Sequence, residues 1–191
     1  MKPSIDEAGW CDGVRRVASP NFDARPPGTL PELLVVHNIS LPPGMYGSGA
    51  VEALFCNTLD FGLHPYFETL RDLRVSAHFL IDRKGCLTQF VSCNERAWHA
   101  GASIFEGRER CNDFSIGIEL EGSDDDSFES AQYASLAALT CALAQRYPIS
   151  AVAGHSDIAP GRKTDPGPFF DWKRYLAAAP PDLRVGRQFP A

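Results

Sequence analysis

The stretch Phe114–Gly122 constrains this chain most. Its apolar and small or polar residues alternate without a break. Phe114, Ile116, Ile118 and Leu120 fall on one face, and Ser115, Gly117, Glu119 and Glu121 on the other. A period of two specifies a strand with one face on the core. The second face sets two glutamates behind small residues, which leaves room beneath a cleft. Glu119 lies inside the strand and is harder than Glu121 to read as a solvated edge charge. Leu33–His37 is a short apolar run that reads as a second, buried strand, ending where polarity begins at His37 and Asn38.

Two further strands, Val75–Ile81 and Cys86–Val91, flank an Asp82–Gly85 turn and read as a hairpin. A helix is expected over Ala50–Leu59, another over Ala131–Tyr147 and a short last one over Phe169–Leu176. In the second, Tyr133, Leu136, Leu139, Leu143 and Tyr147 form one stripe, with Ser130 as N-cap and Pro148 as the stop. Residues 1–31, broken by five prolines, read as an irregular arm wrapped over the domain, and 177–191 as a loose tail. With no repeat and no linker, the 191 residues make one domain with a sizeable core.

A net charge of −6 argues against general attraction to nucleic acid. Met1–Glu7 lacks the apolar core of a signal peptide, and no run approaches the ~20 apolar residues of a membrane span. The expected setting is therefore the cytoplasm, with no membrane partner. None of the six cysteines forms a C-x-x-C pair, so reduced thiols are expected.

The segment Gly154–Pro168 gathers His155, Lys163, Asp157 and Asp165 among prolines and glycines, which excludes a regular helix and reads as a loop. Asp157 reads as a cap of that loop. A solvated turn would accommodate the same residues. Taken with His37 and Glu119, however, the segment offers the parts of a catalytic zinc site. His37, His155 and Asp165 would be three ligands of imidazole and carboxylate type. Glu119 would move a proton, and Lys163 would stabilise an oxyanion. His78 within its strand and His64 before a proline read as structural, His99 as a cleft residue, and Asp124–Asp126 as solvated charge.

The stretches Leu34–Gly44, Leu73–His78, Arg96–Gly101, Gly107–Gly122 and Arg162–Pro168 together resemble the AmpD-type 1,6-anhydro-N-acetylmuramyl-L-alanine amidases of bacterial cell-wall recycling. The resemblance runs from about Trp10 to Trp172. It implies an α+β (mixed α/β) fold of the amidase and peptidoglycan-recognition type, with a mixed central sheet flanked by helices. It implies zinc on His37, His155 and Asp165, Glu119 as acid/base and Lys163 as oxyanion partner. It also points to Asn38, Arg74, Trp98 and Arg110 as contacts to a small muropeptide. A monomer is the expected state. Other readings are a non-catalytic binder of peptidoglycan fragments, an exported or phage-type amidase acting on intact wall, and, more remotely, a cysteine hydrolase.

Overall fold

The computed structural model describes residues 3–186. Two short strands, Arg15–Arg16 (β1) and Phe22–Ala24 (β2), precede the long strand Leu33–Ile39 (β3) and the helix Ala50–Phe55 (α1). Phe79–Ile81 (β4), Leu87–Gln89 (β5), Glu95–Ala97 (β6), Ile104–Phe105 (β7), Arg108–Glu109 (β8) and Ser115–Glu121 (β9) follow. The long helix Ser130–Arg146 (α2), then Ala151–Gly154 (β10), His155–Ile158 (α3), Trp172–Ala178 (α4) and Arg184–Val185 (β11) complete the chain. Seven strands form one sheet in the order β1-β5-β4-β9-β3-β10-β11. β3 runs parallel to both β9 and β10, whereas β4 and β5 are antiparallel, so the sheet is mixed.

Each face of the sheet is covered. Leu34, Val36, Ile116, Ile118, Leu120 and Val152 pack against α2, whose Leu136, Leu139 and Leu143 are fully buried, and against Tyr175 of α4. Each such leucine contributes about 1.5–3 kcal/mol of burial. The opposite face, with Leu33, Val35, Ala151 and Ala153, is covered by Ala100, Phe105, Cys111 and Phe114. Phe114 thus leaves the face assigned to it by alternation. Its ψ of 17° ends a 3-10 turn and breaks the pleat before Ser115. The helix α2 is capped by Glu129 rather than Ser130, with the Glu129 amide donating to Gln132 Oε1 at 2.9 Å. Among the described residues, no helix is long and apolar enough to cross a membrane.

Several boundaries differ from the periodicity. α1 stops at Phe55, short of Leu59, because Asn57 takes a left-handed φ of 58°. β4 begins only at Phe79: Ser76 and His78 donate to the Trp98 and Gly117 carbonyls outside a regular ladder. The hairpin turn is as expected, with Gly85 at φ +81° and a Cβ there meeting Ala131 O at 2.7 Å. The arm wraps the domain but is not irregular throughout: β1 extends the sheet beside β5, and β2 pairs with β6. The tail is held as far as Gly186. β10 would otherwise be an edge, and its neighbours satisfy it: Arg184 N donates to Ser150 O at 3.1 Å and Gly186 N to Val152 O at 2.8 Å. The rest of the expected tail, 187–191, lies outside the described residues.

Arg25 is the main tether of the arm. Its guanidinium donates to the carbonyls of Cys93, Asn112, Asp113 and Ser115 at 2.8–3.3 Å. Replacing it with methionine strips five guanidinium hydrogen bonds from these four carbonyls. The expected cost is on the order of 3 kcal/mol, read as a lower urea midpoint. An unchanged midpoint would show that water replaces the guanidinium there.

His78 is structural, as its apolar strand suggests. Gly117 N donates to its Nδ1 at 3.0 Å, and its Nε2 lies 3.1 Å from Glu95 O. Burial, reinforced by the Arg25 charge, pushes its pKa down to about 3. An unfolded histidine titrates near 6.5. Between those values the unfolded chain binds the extra proton, so stability is complete above about pH 6.5 and falls as pH drops towards 3. The expected slope from this residue is about 1.4 kcal/mol per pH unit. Urea unfolding at pH 7 and 5 measures it, and His78→Asn should flatten the dependence.

Candidate active site

The register explains why distant residues meet. Val36 on β3 pairs with Gly154 on β10 and with Ile118 on β9. The next residue along β3 is His37, which pairs with Glu119, and the next after Gly154 is His155. All three therefore stand side by side at the C-terminal ends of parallel strands, where open sheets place their ligands. Asp165 returns to the same point, because Ser156 N donates to Asp165 O at 2.8 Å. His155 itself opens one helical turn, which the proline content of 154–168 did not suggest. The first proline there is Pro160, so only the chain beyond it is barred from helix. Asp157 caps that turn, its Oδ2 accepting from Gly154 N at 2.8 Å.

His37 Nδ1, His155 Nδ1 and Asp165 Oδ2 form a triangle with every edge 3.0 Å. Donors bound to zinc at ~2.0–2.1 Å in a tetrahedron stand about 3.3 Å apart. The protonation pattern points the same way. His155 Nε2 lies 3.1 Å from the Ala100 carbonyl, which can only accept. In neutral His155 the proton is therefore on Nε2, and Nδ1 turns a lone pair towards the carboxylate. One proton on His37 cannot relieve all three contacts, whereas a cation among the three donors relieves each. The donor set thus fits a divalent metal ion, and among the described residues these three form a group whose ligand atoms could hold one. Burial, with the neighbouring His155 second, pushes the His37 imidazole down to about 4 and keeps it neutral, as a ligand must be. Burial opposes ionisation of Asp165; hydrogen bonds from the two imidazoles and positive charge on them outweigh it and hold the carboxyl well below its ordinary range, and a cation held by neutral imidazoles would supply that charge instead.

Glu119 is buried, and its Oε2 has no hydrogen-bond partner among the described residues. Burial, with the Asp165 charge adding to it, pushes its carboxyl well up, while Lys163 opposes this. A buried orphan oxygen beside a cluster of metal-ligand type is a group kept for a reacting partner. Glu119 and the cluster line a cleft of about 760 Å³, as do Asn38, Arg74, Trp98, His99 and Lys163. Asn38 Nδ2 donates to Asp124 Oδ1 at 2.7 Å, and Trp98 Nε1 to Asp23 Oδ1 at 3.2 Å. Arg110 does not line the cleft. It is exposed and pairs with Asp113 Oδ2 at 3.2 Å.

Two cleft features escaped the sequence reading. Arg162 lies on the rim, its guanidinium donating to the Ala100 and Ala102 carbonyls at 2.7 and 2.6 Å. Its visible signals were adjacency to Lys163 and its place at the head of the stretch Arg162–Pro168. Asp124 and Asp125, which read as solvated charge, also line the cleft. Folding of the acidic turn over the end of β3 was not encoded in any local pattern.

The family model described as N-acetylmuramoyl-L-alanine amidase matches residues 27–168, which span every group of the cluster. The chain belongs to the N-acetylmuramoyl-L-alanine amidase family. This amidase is 57% identical over 179 residues to the 1,6-anhydro-N-acetylmuramyl-L-alanine amidase AmpD of Citrobacter freundii, covering 93% of this chain and 95% of that protein. It superposes on a crystal structure of a Se-Met AmpD derivative with a TM-score of 0.90 at 56% identity, covering 92% and 99% of the two chains. A more distant amidase, AmiD from Escherichia coli, was solved with anhydro-N-acetylmuramic acid-L-Ala-D-gamma-Glu-L-Lys. It matches at a TM-score of 0.58 and 32% identity, over 93% of this chain and 65% of that one. The expected α+β amidase fold is thus the observed one.

Proposed function

We propose that this amidase hydrolyses the amide between 1,6-anhydro-N-acetylmuramic acid and the L-alanine of muropeptides, in peptidoglycan recycling. The observation that carries the chemistry is the three-donor triangle of His37, His155 and Asp165 opening onto a cleft that also holds the unpartnered Glu119. The choice of the anhydro substrate rests on the identity to AmpD across nearly the whole chain. Zinc is the ion assigned to the cluster. Bound there, it supplies Lewis acidity towards water and towards the scissile carbonyl.

The protein's own groups do the rest. Glu119, whose burial raises the proton affinity of its carboxylate, takes in that ionised form the proton of the attacking water and then returns it to the leaving nitrogen of L-alanine. Lys163, on the rim of the cleft, donates to the carbonyl oxygen as negative charge grows on it. Asn38, Arg74 and Trp98 bind the muropeptide; Arg74 supplies a cation for the stem carboxylates. The six unbridged cysteines support a reducing compartment, the cytoplasm.

Incubation with an anhydromuropeptide, with and without chelator, tests this. Mass analysis should show free stem peptide and anhydro-sugar, and only without chelator. Binding without cleavage would indicate a fragment-binding protein. Preferential release from intact sacculi would indicate a wall-acting amidase.

A further inference from the structure

His99 plays no part in the reaction above, yet it sits under one of its ligands. His37 Nε2 lies 3.0 Å from His99 Nδ1, and His99 Nε2 lies 3.2 Å from Ser115 Oγ. The two rings meet edge to face, with centroids 5.1 Å apart. The strand beneath is cut to receive the ring: a Cβ on Gly117 would overlap His99 Cγ, Cδ2 and Nδ1. Ser115, Gly117 and Glu119 thus share one face of β9 and carry three consecutive parts of the site. The residue at 115 accepts from the ring, the one at 117 makes space for it, and the one at 119 faces the reaction.

The hydrogen bonds have a direction once His37 serves as a ligand. A metal on Nδ1 leaves Nε2–H as the only proton of the neutral ring, and it needs an acceptor. The acceptor within reach is His99 Nδ1, which must then keep its own proton on Nε2 and give it to Ser115 Oγ. In the reverse order, Ser115 donates to His99, His99 to His37, and His37 Nδ1–H to Asp165. That order blocks the lone pair the metal requires.

We propose that His99 is a positioning residue for metal binding: seated on Gly117 and oriented by Ser115, it holds His37 in the tautomer whose Nδ1 lone pair faces the ion. This rests on the metal reading of the His37, His155 and Asp165 cluster. Outer partners of ligating histidines typically change metal affinity about 10–100-fold.

The test is zinc affinity by chelator competition, together with the visible spectrum of the cobalt-substituted protein. His99→Phe keeps a ring over Gly117 but has no acceptor. Its zinc affinity should fall about 10–100-fold and its cobalt bands should shift. His99→Asn puts an amide oxygen near the position of Nδ1 and should recover most of the loss, which a purely space-filling role would not predict. If His99→Phe fails to fold by circular dichroism, Ser115→Ala decides instead. Its His99 Nε2–H is left unpaired only in the metal-bound arrangement, so its zinc affinity should fall while the apoprotein stays folded. Wild-type affinity and spectrum in the folded variant overturn the proposal. A wild-type protein that takes up no zinc would overturn the metal reading instead.

Discussion

Glu119→Gln should keep a full equivalent of zinc and lose at least about 10²–10⁴-fold in turnover on anhydromuropeptide. The substitution preserves volume and hydrogen-bonding reach, so the packing of β9 against β3 should be unaffected. It removes the one property the mechanism needs, a group that both accepts and returns a proton. The Oε2 of Glu119 has no partner among the described residues, so no hydrogen-bond network should collapse when it changes. The loss should fall on kcat rather than KM, because the proton transfer belongs to the transition state. Unimpaired kcat with metal retained would remove Glu119 from the mechanism. A raised KM alone would recast it as a binding residue.

Removing the metal should have an effect at least as large. Chelation, or Asp165→Ala, is expected to abolish cleavage, with activity in the chelated protein restored by added zinc. Stability should change with it. An ion that binds only the folded chain stabilises it by about 2.7 kcal/mol at a free concentration one hundred times its Kd. For a chain of this size that is a rise in Tm of roughly 5–10 °C. The triangle of donors gives the reason. Without a cation, His155 Nδ1 turns a lone pair to the carboxylate at 3.0 Å; with one, each contact becomes attractive. Thermal scans with zinc and with chelator measure the difference. Equal melting temperatures, or full activity after chelation, would mean that the cluster holds no functional metal.

How much of this was legible in the residues differs by level. The strand Ser115–Glu121 and the stripe Tyr133–Tyr147 carried clear periodicity and Leu33–His37 an unbroken apolar run, and the structure places all three in the core. Boundaries were less visible where the cause was tertiary. β4 begins only at Phe79 because Ser76 bonds to Trp98 beyond β6 and His78 to Gly117 of β9 outside a regular ladder, and β11 exists because β10 had an open edge. His37, Glu119 and His155 were visible as candidates by type and by their place at element ends. Their convergence depends on the pairing of Val36 with Gly154 and Ile118, which no local pattern encodes. Arg110 sat within a matching motif; its backbone is left-handed and its side chain pairs with Asp113, a partner no local pattern announced. The room expected behind Ser115 and Gly117 is filled by the ring of His99.

Zinc-edge X-ray absorption on the purified protein, freed of loosely bound metal, bears most directly on the site. One equivalent of zinc with only nitrogen and oxygen at ~2.0–2.1 Å, and outer-shell scattering from two imidazoles, is the predicted result. A sulfur shell at ~2.3 Å would put the metal on cysteine. That result, or an active protein without metal, would contradict the assignment to His37, His155 and Asp165.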